Sequence, residues 1–587
     1  MVGRVDKHHP SVTPLSDTKG KSWYRIIQPW SWLVLTAIPL IYLVLFYALP
    51  VFDIFQKGFT SPILADQSSK VWQTVSRTLG FTIWQALLST FLTLLLGLPA
   101  AYVLNRFQFR GRTIIRTLTS IPFILPTVVV AAGFNAFIGP RGWLNLILQS
   151  VFHLDTPPIV IVGTLSAIIL AHIFYNLTIV IRLVGSAWSG LNPRLEMAAR
   201  TLGASPFQTF RHITLPLLRP VIAAAAILVF LFDFTSFGVI LLLGGPQFAT
   251  LEVEVYTQTM SFFNLPLASI LALMQLICTL ALTVIFQVFS TRPIPLVPMD
   301  ERENLVRPVK RIQKLFILIT VIVLCVLILS PLISLFSRSV YRFDADRGQR
   351  GAVTTGLTLD YYQALLNNPR QDYFYVPPAT AIMNSIKYGL ITAIFSLLLG
   401  SMIVYGFRKE GRKRRIIDLL LMLPLGTSAV TLGLGYVIFF NKAPFLWGAS
   451  QWLIPMAHTL VALPFVVRGL FPAVSSIPPS YRQSAAVLGA SPLKVFALID
   501  LPIIRRALLS SLIFSFTISL GEFGATSFLS RPENPTIPVA IFRFLSQPGG
   551  LNYGQAMAMA TILMLVCAVG ILFFEQSFFL SQDKVKI

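Results

Sequence analysis

Four ionisable side chains interrupt long apolar runs of this sequence, and chemistry would be sought there first. They are Asp233, Glu522, His172 and His458. If those runs cross a membrane, the cost of burying such groups makes a functional role the default hypothesis. Either carboxylate could line a substrate pathway and favour a cation, and the two histidines could serve a metal or a proton relay. The alternative is structural, with the carboxylates bonded to a neighbouring helix or part of a gate, and the histidines in interhelical hydrogen bonds.

Residues that would make the chain an enzyme do not stand out. No nucleophile–base pair is evident, so no catalytic residue is predicted. The nearest approach to a G-x-x-x-x-G-K-[ST] phosphate-binding loop, at residues 20–22, has Leu15 where the first glycine belongs. Three cysteines lie in apolar runs without a CxxC or Cys/His cluster, so neither a metal site nor a disulfide framework is expected. These cysteines are Cys278, Cys325 and Cys567. Any ATP hydrolysis must therefore come from a partner.

The elements that position these groups are predicted to be membrane helices. Of 587 residues, 55% are hydrophobic and 12% are charged, which is too little charge to cover a soluble protein of this length. Apolar runs of about 20 residues cross a bilayer as helices, because lipid offers no partner for an unpaired backbone group. We expect an all-α integral membrane protein with about twelve spans. They are predicted at roughly 32–52, 79–105, 119–139, 158–184, 218–243, 265–290, 314–336, 383–406, 416–440, 452–472, 506–530 and 556–580.

The distribution of charge predicts the orientation. A net charge of +23 would suggest nucleic acid binding in a soluble protein, but here the basic residues flank the predicted spans, so no nucleic acid partner is expected. They concentrate before the first span and after the second, sixth and eighth. Both termini are therefore predicted to be cytoplasmic. The N-terminal segment lacks the apolar core and cleavage site of a signal peptide, so the first span should be retained.

The chain also repeats itself at one fixed offset. Ala171-His172 recurs as Ala457-His458, and Gly203 to Pro206 recurs as Gly489 to Pro492, at a separation of 286 residues (489 − 203 = 286). Each copy has six predicted spans, an even number, so the copies share one orientation and form a parallel repeat about an axis along the membrane normal. The expected regions are a tail at 1–30, a first half at 31–295 and a second half at 296–587.

Each half carries one unusual loop between its fourth and fifth spans. These loops comprise residues 191–216 and 477–502. In the first, a short helix with one apolar face stops at Gly203, and Ser205 with Gln208 predicts a capping box that opens a second helix. The second copy differs in having Lys494 at the capping-box partner position. Such a helix–glycine–helix elbow is a rigid lever with an apolar ridge for a soluble partner. The alternative is an interfacial loop that only ties two spans together.

The elbow pattern resembles the EAA loop of binding-protein-dependent ABC importer permeases, in which E-A-A, a glycine and I-x-L-P recur at fixed spacing. In that family the loop is a coupling helix that seats in a groove of the ATPase. The resemblance implies ATPase coupling through Glu196, Ala198, Ala199, Gly203, Ile213, Leu215 and Pro216 in the first half, and through Gln483, Ala485, Gly489, Ile499, Leu501 and Pro502 in the second. The glutamate position itself holds Met197 and Gln483, so we expect a contact based on shape rather than on a salt bridge.

The resemblance covers nearly the whole chain and is to fused two-half permeases for thiamine and ferric iron. Residues 142–144, 171–176 and 244–247 look most like the thiamine type. This implies a type I importer subunit in the bacterial inner membrane, in contact with lipid. An extracytoplasmic binding protein would deliver solute, and two copies of a separate ATPase would hold ATP-Mg, with no cofactor on this chain. Thiamine or a thiamine phosphate leads as the solute, and ferric iron follows. An ion-gradient-driven secondary transporter is the main alternative, and a structural membrane scaffold is the second.

Overall fold

The computed structural model describes residues 35–582 except for 61–67, 246, 291–304, 343–355, 367–377, 408–422, 425 and 449, with side chains up to residue 570 apart from that of residue 290. The predicted tail at 1–30 and part of the ninth predicted span lie outside the described residues.

The described residues of the first half are helical, with loops between the helices. The helices are α1 (Leu35–Phe59), α2 (Ser68–Arg106), α3 (Arg112–Leu118), α4 (Thr127–Ile138), α5 (Trp143–Phe152), α6 (Leu165–Ser189), α7 (Pro193–Thr201), α8 (Pro206–Thr209), α9 (Leu215–Phe234), α10 (Gly238–Leu243), α11 (Leu251–Met260) and α12 (Leu265–Ser290). A π-helical turn, Phe210–Thr214, joins α8 to α9 without a break.

The described residues of the second half follow a similar order, with a small hairpin and a short helix added before the second long helix and no helix in the position of α5. Its elements are α13 (Arg311–Val340), β1 (Tyr341–Arg342), β2 (Gly356–Leu357), α14 (Asp360–Gln363), α15 (Pro378–Gly406), α16 (Ala429–Phe440), α17 (Leu453–Ser475), α18 (Pro479–Val487), α19 (Pro492–Val495), α20 (Leu501–Gly521), α21 (Gly524–Leu529), α22 (Ile537–Leu545) and α23 (Gly550–Gln582). The strands pair antiparallel, with Tyr341 opposite Leu357. The π-helical turn recurs between α19 and α20 as Phe496–Asp500.

Among the described residues, nine helices are long and apolar enough to cross a membrane. They are α1, α2, α6, α8 with α9, α12, α13, α15, α17 and the first part of α23. A tenth candidate is Arg112–Ile124 with Thr127–Phe152, which is bent by 112°. Pro122 and Pro126 stand near this bend, where a missing backbone donor interrupts helical bonding. The all-α membrane fold is confirmed, and the number twelve stays a prediction.

Two predicted spans are interrupted at matched positions. The fifth predicted span, 218–243, is α9 followed by α10, with a break at residues 235–237. The eleventh, 506–530, is α20 followed by α21, with a break at residues 522–523. A helix that stops within the bundle leaves free backbone groups, which require polar partners nearby. The four ionisable residues singled out in the sequence lie close to these two breaks.

The first span of each half packs on the other half. Helix α1 lies against α16 as well as α12, and α13 lies against α4 as well as α23. The Tyr42 hydroxyl donates to the Met456 carbonyl at 2.6 Å, and Lys442 Nζ lies 2.8 Å from Asp53 Oδ2. This exchange ties the two bundles together.

The halves meet at an aromatic pair that the repeat matches. Phe237, before α10, stacks on Phe523, before α21, with ring centroids 5.3 Å apart and planes 23° apart. The two residues occupy equivalent positions, so the stack lies on the pseudo-twofold axis between the breaks.

Candidate functional site

A cavity of about 360 Å³ lies between the two halves beside this aromatic stack. Six aromatic side chains line it, together with polar side chains that include two carboxylates. The aromatic residues are Phe123, Tyr175, Phe232, Phe237, Phe514 and Phe523, and the polar ones include His172, Asn176, Ser236, Glu252 and Glu522. The size is that of a small-molecule site, and mostly apolar walls with a few placed polar groups are typical of such sites.

In the first half, His172 of α6 holds the break after α9. Its Nδ1 lies 3.0 Å from Ser89 Oγ and 3.3 Å from Asp233 Oδ1, and its Nε2 lies 2.9 Å from Ser236 Oγ. Asn176 donates a further bond to Asp233 Oδ1 at 2.7 Å. The imidazole therefore bridges the last turn of α9 and the break that follows it.

In the second half, His458 of α17 lies at the equivalent break after α20. Here the carboxylate partner is on Nε2 rather than on Nδ1. Its Nδ1 lies 2.6 Å from Ser519 Oγ, and its Nε2 lies 3.0 Å from Glu522 Oε2. Glu522 also accepts hydrogen bonds from the backbone amides of Ala525 at 2.8 Å and Thr526 at 3.0 Å. It thereby satisfies free donors in the first turn of α21.

The 286-residue offset explains why the two carboxylates are not aligned in sequence. Asp233 matches Ser519, and Ser236 matches Glu522. Each histidine thus has one carboxylate partner and two hydroxyl partners, and the carboxylate lies on opposite ring nitrogens in the two halves. Of the predicted pathway residues, His172 and Glu522 line the cavity, whereas the structure leaves Asp233 and His458 out of its wall.

Sequence reasoning missed Glu252, the second carboxylate of the cavity. It lies in α11, is only 2% exposed, and accepts a hydrogen bond from Gln275 Nε2 at 3.1 Å. The sequence places it between two predicted spans, in a segment expected to be an outer loop. Only the packing of α11 against α12 and α16 shows that it is buried.

The two elbows share one backbone geometry. Gly203 and Gly489 have φ of +87° and +80°, where only glycine is unstrained. In the first elbow the amides of Gly203 and Ala204 donate to the carbonyls of Arg200 and Ala199, both at 3.0 Å, which is the Schellman pattern. The second elbow has the same two bonds. The predicted capping box of Ser205 and Gln208 is present, and Ser491 makes only the single bond to the amide of Lys494.

A polar bridge braces each elbow, over the same spacing of 18 residues, between its first helix and the π-helical turn. In the first, Glu196 accepts a hydrogen bond from Thr214 Oγ1 at 2.9 Å and pairs with Arg106 of α2 at 2.6 Å. In the second, Arg482 Nε pairs with Asp500 Oδ1 at 2.8 Å. The positions match across the repeat, but the residue types do not.

The outer side of each elbow is an apolar ridge. In the first, Leu202 is 88% exposed and Phe207 is 68% exposed. In the second, Leu488 is 86% exposed and Leu493 is 81% exposed. Large exposed apolar side chains of this kind are typical of a surface that contacts another protein or the membrane.

The family model for the inner membrane component of binding-protein-dependent transport systems matches residues 93–294 and 393–578. The chain belongs to this family. The two matched segments include both elbows and both helix breaks, one set in each half.

Two named permeases and one protein of known structure are similar to this chain. The thiamine transport system permease protein ThiP of Escherichia coli (strain K12) is 27% identical over 85% of this chain and 88% of its own. The ferric transport system permease protein FbpB of Actinobacillus pleuropneumoniae is 26% identical over 82% of this chain and 68% of its own. A chain from the crystal structure of a bacterial alginate ABC transporter is 21% identical, with a TM-score of 0.39 over 47% of this chain and 99% of that one.

The protein is thus the transmembrane permease subunit of an ABC importer, and it resides in the inner membrane. Family membership removes the ion-gradient transporter and the structural scaffold as readings of the sequence. The two-half organisation expected from the repeat agrees with the two matched segments.

The elbow residues expected to couple to an ATPase do not all face outward in this permease. Glu196 turns toward Arg106 and Thr214, and Ala199, Ile213, Leu215, Ala485 and Ile499 are half-buried. Ala198, Gly203, Pro216, Gln483, Gly489, Leu501 and Pro502 are exposed. Burial thus divides the predicted set into residues that shape the elbow and residues open to a partner.

Proposed function

We propose that this permease imports a small organic cation of the thiamine class. The observation that carries the proposal is the cavity between the halves, where aromatic rings surround Glu252 and Glu522. Rings attract a cation through their π faces, and the attraction is strongest where water is excluded. Thiamine combines a positively charged ring with a second flat ring, so it matches both features of the wall.

The similarity to ThiP supports the same substrate class. Ferric iron, suggested by FbpB, is the second candidate. A hard metal ion prefers oxygen-rich coordination, and the six aromatic residues of this cavity would contribute little to it. The cavity wall therefore favours the organic cation.

We further propose that two copies of an ATPase subunit drive transport through the two elbows. The exposed ridges at Leu202 and Leu488 would seat in the ATPase, which holds ATP-Mg, and both elbows would lie with both termini on the cytoplasmic side. An extracytoplasmic binding protein would deliver the solute to the opposite face. Closure of the ATPase pair would then rock the halves about the Phe237–Phe523 stack and open or close the cavity.

Uptake by the reconstituted complex tests the proposal. The permease, its ATPase and its binding protein are placed in proteoliposomes, and entry of radiolabelled thiamine, thiamine diphosphate and ferric citrate is measured with and without ATP. We expect uptake of thiamine or its phosphate that requires ATP. Uptake of ferric citrate alone would refute the substrate, and ATP-independent uptake would refute the coupling.

A matched pair of variants tests the cavity itself. Glu252→Gln replaces the carboxyl group that lines the cavity with an amide, which cannot ionise beside a bound cation, and thiamine uptake at low concentration should fall about tenfold. Glu254→Gln changes a neighbour on the same helix that is not part of the wall, and uptake should be unchanged. Equal effects of the two variants would show that the cavity is not the transport route.

A further inference from the structure

A second cavity, of about 400 Å³, lies under the first elbow. Its walls come from the end of α2, the end of α6, the elbow helices and the start of α9, so it lies where three spans reach the same face of the membrane. The lining includes Leu98, Tyr102, Arg106, Trp188, Arg200 and Ile222. The exposed ridge residues Leu202 and Phe207 are not part of this wall, whereas Glu196 and Leu215 of the predicted coupling set are.

The lining is amphipathic along the membrane normal. Leu98 lies two turns before Arg106 on α2, which places it about 12 Å deeper at 1.5 Å per residue. Leu218 and Ile222 line the cavity within α9, beyond the π-helical turn. The polar residues lie at the elbow end of the cavity. Tyr102 and Trp188 lie between this polar end and the apolar end, with ring centroids 5.0 Å apart. Aromatic rings at this level are typical of a membrane interface.

The polar end carries an excess of positive charge. Arg106 is paired with Glu196, whereas the Arg200 side chain has no ion pair or hydrogen-bond partner among the residues that the structure describes. Arg200 is exposed at the rim. Two guanidinium groups and one carboxylate leave one positive charge for a ligand, and the planar guanidinium suits a phosphate.

The second elbow does not repeat this chemistry. Gly97 packs on Val180 and Gly400 packs on Val466, which aligns α2 with α15 and makes Tyr405 the counterpart of Tyr102. Val474 and Ala486 replace Trp188 and Arg200 there. In the first elbow Trp188 stacks on Phe210, with centroids 6.1 Å apart and planes 20° apart. In the second, Tyr405 meets Phe496 directly at 5.6 Å.

From this arrangement we propose that the cavity under the first elbow binds one anionic phospholipid of the surrounding bilayer. Its phosphate lies at Arg200 and Arg106, and one acyl chain lies along Leu98, Leu218 and Ile222. The lipid thereby fills the space between α2 and α9 and fixes the first elbow against the bundle. The proposal rests on the elbow cavity alone and does not depend on which solute the permease carries.

Native mass spectrometry of the purified permease–ATPase complex tests this binding. The complex is titrated with dioctanoyl phosphatidylglycerol, dioctanoyl phosphatidylcholine or glycerol phosphate. We expect one phosphatidylglycerol site that is tighter than any phosphatidylcholine site. Loss of a charge-assisted hydrogen bond in Arg200→Ala should weaken that site about tenfold. Ile222→Trp, which fills the apolar end and leaves the charges in place, should weaken it as well.

The matched control is Arg194→Ala, which removes the same charge from an exposed position on the same helix, outside the cavity wall. It should leave the site intact. Equal weakening by Arg194→Ala and Arg200→Ala would mean non-specific attraction and would overturn the proposal. Glycerol phosphate binding as tight as phosphatidylglycerol would also overturn it, because the apolar wall would then contribute nothing. The elution volume of each variant complex confirms that it is folded and assembled.

Discussion

The two elbows have nearly the same backbone but are braced by different side chains. Both have a Schellman turn at glycine, a serine-capped second helix and a π-helical turn. In the first, the acid of the brace is Glu196 on the elbow helix, and in the second it is Asp500 on the turn. The shape is retained while the acid changes position. We infer that the geometry of the elbow matters more than the chemistry of its brace.

The same relation holds inside the membrane. His172 meets its carboxylate through Nδ1, and His458 meets its carboxylate through Nε2. As a result, the second half contributes the carboxylate of Glu522 to the cavity wall, and the first half contributes the hydroxyl of Ser236 at the equivalent position. The two halves of the repeat thus contribute different side chains to the cavity wall, which suits a solute without twofold symmetry.

The largest expected effect comes from the feature that the elbows share. Valine at both Gly203 and Gly489 must adopt a left-handed conformation that costs a β-branched residue about 1–2 kcal/mol at each site. The double variant should lose ATP-driven uptake almost completely, because both elbows shift. Uptake and ATPase activity of the reconstituted complex measure the effect.

Gly80→Val is the control for this pair. A side chain at Gly203, Gly489 or Gly80 would meet no atom within 4 Å, but Gly80 lies in α2 with an ordinary helical φ. Uptake by the Gly80 variant should be near normal. Normal uptake by the double variant would remove the elbows from the mechanism.

The next effect separates the two braces. Arg482→Ala leaves Asp500, which is 3% exposed, without the ion pair of the second elbow. An uncompensated buried charge destabilises a protein by about 3 kcal/mol or more. The free energy of unfolding, measured by denaturant titration in micelles, should fall by about that amount.

Adding Asp500→Asn to Arg482→Ala identifies the cause. The double variant removes the stranded charge and should regain most of the lost stability. If it does not, the loss comes from the packing of the arginine stem rather than from the charge.

A smaller loss is expected at the first brace. Glu196→Ala leaves Arg106 unpaired, but the guanidinium side chain is 21% exposed and is the last residue of α2, so water can solvate it. We expect a loss of about 1 kcal/mol, which is typical of a hydrogen bond in a partly exposed pair. The same denaturant titration compares the two braces directly. A loss as large as that of Arg482→Ala would contradict the difference in burial.

The elbows show what sequence can predict here. The glycine stops, the serine caps and the missing capping box at Lys494 follow from local backbone chemistry, and the structure agrees with each. The membrane helices follow from apolar length. Local signals of this kind need no knowledge of the tertiary fold.

The residues that escaped prediction depend on packing between distant segments. Glu196 resembles an outward-facing coupling residue until Arg106, ninety positions earlier, is seen beside it. Glu252 resembles a loop residue until α11 is seen to pack on α12. The packing of α1 and α13 on the opposite halves could not be predicted from the sequence. An apolar span has the same sequence pattern whichever helix it packs against.

The smallest prediction concerns the capping box that the first elbow has and the second lacks. Lys494→Gln would give the second elbow the capping box that Ser205 and Gln208 form in the first. The new side chain can accept from the backbone amide of Ser491, so the free energy of unfolding should rise by a few tenths of a kcal/mol, toward the lower end of capping effects. Gln208→Lys in the first elbow is the reciprocal change and should lower it by a similar amount. If the two changes had the same sign, the boxes would not be equivalent, and the brace rather than the cap would set the geometry of each elbow.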